Sequence, residues 1–138
     1  MTVALREPST LAEFLAWEER QELRYEFDGM RPVAMTGGTL RHNLIAQNIV
    51  VALRTRLRGG PCRVWNADVK IVASSRVRYP DVLVTCSEQN DLMTQATDPV
   101  VVLEVISSGT ARTDRVAKFN DYLTLASVAH YVIVEQSA

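Results

Sequence analysis

Residues 99–106 read Pro-Val-Val-Val-Leu-Glu-Val-Ile, a run that is apolar on both faces of any strand it forms, except at Glu104. An ionised carboxylate that is buried without partners is so costly that it usually takes up a proton or finds a cation. A second acid, Asp81, follows Pro80 and opens another apolar run, and Lys118 follows Glu104 on a predicted helix. Two acids on neighbouring strands with one amine nearby meet the requirements of a magnesium-dependent site that cleaves phosphodiesters.

The rest of the chain alternates between helical and extended patterns. Thr10 and Glu13 form a capping box, which predicts a first helix over about 11–22. A hairpin that turns at Asp28-Gly29 follows this helix. The other predicted elements are a second helix through 44–57, short strands at 62–66, 69–73 and 81–85, a loop at 87–98, the strand at 100–106, a third helix at 113–125 and a closing strand at 129–135.

This order of elements predicts an α/β (α+β) fold, in which helices flank a central mixed β-sheet. If the strands at 100–106 and 129–135 are parallel, the third helix between them forms a right-handed crossover. A length of 138 residues fits one domain over 1–138.

The composition predicts a soluble protein of the cytoplasm. The first ten residues contain no apolar segment of a signal peptide, and the longest apolar runs are too short to span a bilayer, so no membrane partner is expected. The two cysteines, Cys62 and Cys86, have neither the spacing of zinc ligands nor the density of a disulfide scaffold. Both are therefore expected to be free thiols.

The net charge of −1 is not that of a strongly basic nucleic-acid-binding protein, but the cations are unevenly spread. A single acid, Asp68, lies in a cation-rich window of the sequence. The basic residues of this window are Arg54, Arg56, Arg58, Arg63, Lys70, Arg76 and Arg78. The window is a candidate phosphate-contacting region, and a solvated position on a helix end or strand edge is the alternative for any one of its arginines.

Each acid of the candidate site also has a purely structural explanation. An aspartate after a proline at a strand entrance is often a turn or cap residue, which is one interpretation of Asp81. Glu104 could instead pair with an arginine inside the sheet. Composition and spacing alone leave these alternatives open.

Several short motifs follow one another along the chain. They are Tyr25-Glu26-Phe27-Asp28-Gly29, His42, Arg78-Tyr79-Pro80-Asp81-Val82, Val101-Val102-Leu103-Glu104-Val105-Ile106-Ser107, Asp114, Lys118, Tyr122 and His130-Tyr131-Val132-Ile133-Val134. In their order and spacing they resemble the Uma2 family of restriction-type endonucleases, which belongs to the PD-(D/E)XK nuclease superfamily. The resemblance extends from the first helix to Tyr131, and it implies a restriction-endonuclease-like core, a DNA substrate and a Mg²⁺ (or Mn²⁺) cofactor.

The resemblance also implies roles for individual residues. Asp81 and Glu104 would bind the divalent metal, and Lys118 would be the catalytic lysine. The general superfamily signature places a lysine two residues after the second acid, but that position is Ile106 in this chain. The amine is therefore expected to come from the following helix.

Four further residues are candidates for supporting roles. Asp114 and Tyr122 share a helical stripe with Lys118 at a spacing of four residues, and they serve either the site or helix packing. In related folds an acid from the N-terminal region approaches the metal, which makes Glu26 a third carboxylate, with an ordinary exposed strand residue as the alternative. His42, at the start of the second helix, either contacts a phosphate or the metal-bound water, or has a capping or hydrogen-bonded role.

Three functions are compatible with the sequence. The leading hypothesis is a Mg²⁺-dependent DNA endonuclease, expected to be a homodimer because an unpaired sheet edge near the C-terminus invites pairing with a second copy. The alternative is a catalytically inactive nucleic-acid-binding or protein-interaction module of the same fold. A third possibility keeps the metal site and changes the substrate to RNA or another phosphodiester.

Overall fold

The computed structural model describes residues 6–35, 37–107 and 112–136, apart from the side chain of residue 113. Within these ranges the helices are α1 (Leu11–Glu18), α2 (Leu40–Leu57) and α3 (Arg112–Leu123). The strands are β1 (Tyr25–Phe27), β2 (Pro32–Ala34), β3 (Arg63–Asn66), β4 (Ile71–Ala73), β5 (Arg76–Arg78), β6 (Val82–Thr85), β7 (Pro99–Ile106) and β8 (His130–Glu135).

The elements lie close to where the sequence pattern predicts them, with two notable differences. The first helix ends at Glu18 rather than near residue 22. The Glu18 side chain is buried and accepts a hydrogen bond of 3.1 Å from the Tyr25 amide, which ties the helix end to the start of β1. Strand β5 was not predicted from the sequence. It follows β4 after a tight turn at Ser74 and Ser75, whose φ angles are 52° and 59°. Turns with two positive φ angles usually contain Asn or Gly, so two serines gave no recognisable turn signal.

The strands form two sheets of four strands each. One sheet has the order β2-β1-β5-β4 and is antiparallel, and the other has the order β3-β6-β7-β8 and is mixed. Strands β7 and β8 are parallel with α3 between them, which confirms the predicted β–α–β passage. The mixed sheet and its helices confirm the predicted fold class, whereas the separate antiparallel sheet was not predicted.

The core consists of two hydrophobic clusters. The first cluster contains Ile71, Leu83, Ala96, Val102 and Tyr122, and the second contains Phe14, Phe27, Val77 and Tyr79. Tyr122 is fully buried and fixes α3 against the mixed sheet. The side chains one turn earlier on α3 are thereby held near the ends of β6 and β7.

Helix α2 lies against β3, β6 and β7. The hydroxyl of Thr39 caps it by accepting a hydrogen bond of 3.1 Å from the His42 amide, which fixes His42 in the first turn. Neither α2 nor another helix in the described part of the chain has the length and apolar character needed to cross a membrane.

The two cysteines are joined, and the prediction that they are free thiols is wrong. Cys62 and Cys86 form a disulfide. Strands β3 and β6 are antiparallel with Arg63 opposite Thr85, so the two cysteines are neighbours one residue beyond this pair. The sequence does not predict this disulfide, because the two cysteines are 24 residues apart and only the pairing of β3 with β6 brings them together.

Candidate active site

The two acids identified from the sequence lie at one end of the mixed sheet. Val82 of β6 is opposite Leu103 of β7, so Asp81 and Glu104 come next along this antiparallel pair. The Asp81 carboxylate accepts a hydrogen bond of 2.7 Å from the backbone amide of Val105, which fixes it alongside Glu104. The two acidic side chains, which are 23 positions apart in the sequence, therefore meet at one place.

Glu104 is almost completely buried, with an exposed fraction of 5%. Burial is the largest cause that raises the pKa of its carboxyl group, and the nearby Asp81 and Glu26 act in the same direction. Lys118 and a hydrogen bond from Tyr122 oppose them, and the net pKa is about 8. The Tyr122 hydroxyl donates this bond over 3.2 Å. Among the described residues no arginine forms an ion pair with Glu104, so the structural alternative considered for this residue does not apply.

Lys118 lies on α3 and points its amine toward the same carboxylates. Its Nζ is 3.4 Å from Asp114 Oδ2 and 3.8 Å from Glu26 Oε1. Burial alone would lower the pKa of Lys118, but the negative charges of Glu104, Glu26 and Asp114 raise it to about 12. The Lys118 amine therefore keeps its proton at neutral pH in the free protein.

Glu26 reaches the site from the antiparallel sheet. Its Oε2 accepts a hydrogen bond of 2.9 Å from the Tyr79 amide, and its Oε1 lies 3.8 Å from both Lys118 Nζ and an Arg78 nitrogen. Only 13% of its side chain is exposed, which excludes the ordinary exposed strand residue considered for this position. The structure thus brings a third carboxylate to the lysine.

His42 contacts the site from the first turn of α2. Its Nε2 lies 3.2 Å from Asp81 Oδ2. A Cβ atom at Gly38 would lie only 3.2 Å from His42 Nδ1, so the glycine leaves room for the imidazole ring. The imidazole ring of His42 therefore contacts Asp81, and its backbone amide donates the capping hydrogen bond to Thr39.

Two buried residues, Arg78 and Asp121, lie next to the site, although neither was assigned a role in it from the sequence. Arg78 Nε donates to Asp121 Oδ2 over 2.9 Å, and an Arg76 nitrogen donates to Asp121 Oδ1 over 2.6 Å. Asp121 is 1% exposed and lies on α3 directly after the turn that carries Lys118. The available signal was the alternation of Arg76 and Arg78, which places both on one face of a strand.

The same contacts correct the interpretation of the cation-rich window. Arg76 and Arg78 are engaged by Asp121, and Lys70 is buried in an ion pair with Glu18. Lys70 and Arg78 are buried and Arg76 is half-buried, and all three are paired with acids of the protein, which argues against a phosphate-contacting role for them.

The residues present fit a small divalent cation. No group of three or more His, Cys, Asp or Glu side chains forms a ready-made metal cage within the ranges that the structure describes. Mg²⁺ does not need such a cage, because one or two carboxylates, waters and substrate phosphates complete its shell. Asp81 and Glu104 supply two hard oxygen ligands. A cation would offset the burial and the repulsion from Asp81 and Glu26 that raise the pKa of Glu104.

Comparison with known sequences gives one family match and two similar proteins. The family model described as "Uma2: Putative restriction endonuclease" matches residues 11–138. "Uncharacterized protein slr1290" of Synechocystis sp. (strain ATCC 27184 / PCC 6803 / Kazusa) is 35% identical over 129 residues, which cover 91% of this chain and 68% of that protein. "Uncharacterized protein sll1609" of the same organism is 27% identical over 141 residues, which cover 99% of this chain and 80% of that protein.

A solved structure shares the fold. The crystal structure of "a putative nuclease belonging to DUF820" from Anabaena variabilis ATCC 29413 matches with a TM-score of 0.76 at 16% sequence identity. The match covers 93% of this chain and 74% of that chain. The arrangement of helices and sheets described above is therefore common to both proteins.

Proposed function

Because the chain belongs to the Uma2 family, we propose that it is a metal-dependent DNA endonuclease whose reaction depends on Asp81, Glu104 and Lys118. The observation that carries this proposal is the surroundings of Glu104. A buried carboxyl group has two other carboxylates and one amine as close electrostatic neighbours. Strongly perturbed carboxyl groups of this kind are typical of sites that bind a cation or move a proton.

Asp81 and Glu104 are the proposed ligands of Mg²⁺ or Mn²⁺. The bound ion would supply a Lewis acid for the scissile phosphate and acidify a water molecule. The two ligands are held in place by the protein itself, since the Val105 amide and His42 contact Asp81 and the Tyr122 hydroxyl contacts Glu104.

Lys118 is the proposed partner of the attacking water. Its raised pKa argues against proton abstraction, because the amine keeps its proton at Nζ. A protonated amine can orient the water by donating a hydrogen bond, and it can stabilise negative charge that develops on the phosphate. Glu26 and Asp114 would hold the amine in position, which gives both of these residues a supporting role.

The proposal is tested by Glu104→Gln in a divalent-dependent DNA cleavage assay. We expect cleavage to fall by at least about 10³-fold, equivalent to roughly 4 kcal/mol of activation free energy, because the amide cannot replace an anionic ligand. Glu88→Gln makes the same chemical change at an exposed position and serves as the matched control. Circular dichroism checks that both variants are folded, and cleavage by Glu104→Gln at the wild-type rate would remove the assignment.

The alternative function is an inactive module of the same fold that binds nucleic acid or protein. The net charge of −1 favours this alternative. Isothermal titration of the protein with Mg²⁺ and Mn²⁺, with and without DNA, separates the two functions, since the module gives no metal-binding heat. Comparing the cleavage of matched DNA and RNA oligonucleotides identifies the substrate. The homodimer stays a prediction.

A further inference from the structure

A cleft of about 520 Å³ lies between the last turn of α2 and the start of β3. Its lining includes Arg54, Arg58, Gly59, Cys62, Arg63 and Trp65. Gly59 has a φ of 83°, a conformation that favours glycine and turns the chain from the helix toward the strand. The disulfide from Cys62 to Cys86 fixes one wall of the cleft to the end of β6.

The arginines of this cleft carry a positive charge that has no acidic partner in the part of the chain that the structure describes. Among the described residues, no carboxylate lies within 4.0 Å of any of its three guanidinium groups. Asp68, the one acid in this part of the sequence, pairs with Arg24 instead. Arg63 already donates to the carbonyl oxygens of Gly60, at 3.0 Å, and Cys62, at 3.2 Å, so its guanidinium group has little conformational freedom left to lose on binding.

We infer that this cleft binds the phosphodiester backbone of a nucleic acid, with Arg54, Arg58 and Arg63 as the contacting residues. Guanidinium groups bind phosphate oxygens through two parallel hydrogen bonds, and they stay charged at any physiological pH. This chemistry is local, so an overall charge of −1 does not oppose it.

The position of the cleft suits a long substrate, and in this respect the inference rests on the proposed endonuclease function. His42 contacts Asp81 at the start of α2, and Arg58 follows its end. At a rise of 1.5 Å per residue, these two residues are about 24 Å apart along the helix axis. Phosphates on one DNA strand are spaced by about 3.4 Å along the helix axis, so this length corresponds to about seven base pairs. One DNA molecule could therefore contact the candidate active site and the cleft together.

The structural alternative is that the arginines only stabilise the end of α2. Arg54 and Arg56 lie in its last turn, where a positive charge interacts favourably with the helix dipole. This alternative predicts a lower melting temperature on removal of the charges and no change in nucleic-acid affinity.

The test measures binding of a fluorescein-labelled 20-base-pair DNA duplex by fluorescence anisotropy in EDTA, where cleavage plays no part. The double variant Arg54→Gln, Arg58→Gln is compared with Arg6→Gln, Arg20→Gln, which removes two exposed arginines that do not line the cleft. We expect the first variant to weaken binding at least about tenfold at 0.1 M salt and to reduce the slope of log affinity against log salt by about 1.8. The control variant should change the affinity by less than about threefold.

Four results would overturn the inference. The first is that the wild-type protein does not bind the duplex. The second and third are that both glutamine double variants lose DNA affinity equally, or that neither loses any. The fourth is that polyglutamate displaces the duplex as effectively as unlabelled DNA of equal charge. The variant with Arg54→Lys and Arg58→Lys keeps both positive charges and should restore most of the slope of log affinity against log salt. It thereby distinguishes loss of charge from a folding defect. A failure of Glu104→Gln to affect cleavage would remove the proposed nuclease site and leave this binding result intact.

Discussion

Two buried carboxylates of this protein, Glu18 and Glu104, have nearly the same exposed fraction, 7% and 5%, and very different surroundings. Glu18 pairs with Lys70 and accepts a hydrogen bond from the Tyr25 amide. The Tyr79 hydroxyl donates one bifurcated hydrogen bond to its two carboxylate oxygens, at 2.9 and 3.0 Å. We call Glu18, Lys70 and Tyr79 the Glu18 cluster. Its one negative charge is matched by one positive charge and by donors that keep their protons, since burial raises the pKa of Tyr79.

Glu104 is placed in the opposite situation. Asp81 and Glu26 add negative charge around it. The amine of Lys118 interacts with Glu104, Glu26 and Asp114 together. Burial is the same in both regions, so burial alone does not separate a structural acid from a functional one. The balance of charge separates them, because an excess of buried carboxylates favours the binding of a cation.

The first prediction concerns the charge balance of the Glu18 cluster. Glu18→Gln leaves the Lys70 amine buried without its counter-ion, and we expect a loss of about 3–5 kcal/mol in the free energy of unfolding. Urea denaturation followed by circular dichroism measures the loss, with Glu88→Gln as the exposed control. A change below about 1 kcal/mol would show that the cluster is not the structural pair described here.

The sequence reveals more about the region of Glu104 than about the Glu18 cluster. Glu104 stands out because it interrupts an apolar run, and Lys118 follows on an amphipathic helix, so both can be identified from local pattern. Glu26 was identified through a family resemblance, since nothing in its own segment separates it from an exposed strand residue. The Glu18 cluster joins residues 52 and 61 positions apart, and no local pattern records such a contact.

The fold shows the same division between local and distant information. The helices, the buried strands and the parallel β–α–β passage follow from local hydrophobic periodicity and short connections. The separate antiparallel sheet depends on the pairing of Phe27 with Val77, and the disulfide depends on the register of β3 against β6. Strand partners and register are set by the whole chain, so these features became visible only in the structure.

The second prediction concerns the pH dependence of stability without metal. The pKa of Glu104 rises from 4.5 to about 8 on folding, so between these pH values the folded protein keeps a proton that the unfolded chain has lost. This contribution to stability is fully present below about pH 4.5 and is lost as the pH rises toward 8. In EDTA, we expect the wild-type free energy of unfolding to fall by on the order of 2–3 kcal/mol between pH 5 and pH 8.

Glu104→Gln should remove most of this slope, because the amide does not titrate while Asp81, Glu26, Lys118 and Tyr122 still face it. Urea denaturation at pH 5, 6.5 and 8 provides the measurement, and Glu88→Gln should keep the wild-type slope. If the slopes of the wild type and of Glu104→Gln coincide, Glu104 does not have the crowded environment on which the comparison depends.

The smallest expected effect is the direct response of each region to metal. At a Mg²⁺ or Mn²⁺ concentration ten times the dissociation constant, ligand linkage stabilises the folded protein by about 1.4 kcal/mol, or roughly 4 °C in melting temperature for a chain of this size. Glu18→Gln should melt at a lower temperature than the wild type but keep this shift, because its charge imbalance is remote from the metal ligands. Glu104→Gln should lose the shift whatever its own stability. Differential scanning fluorimetry across a metal titration measures all three proteins, and an equal shift in wild type and Glu104→Gln would mean that the excess of carboxylates around Glu104 does not bind the ion.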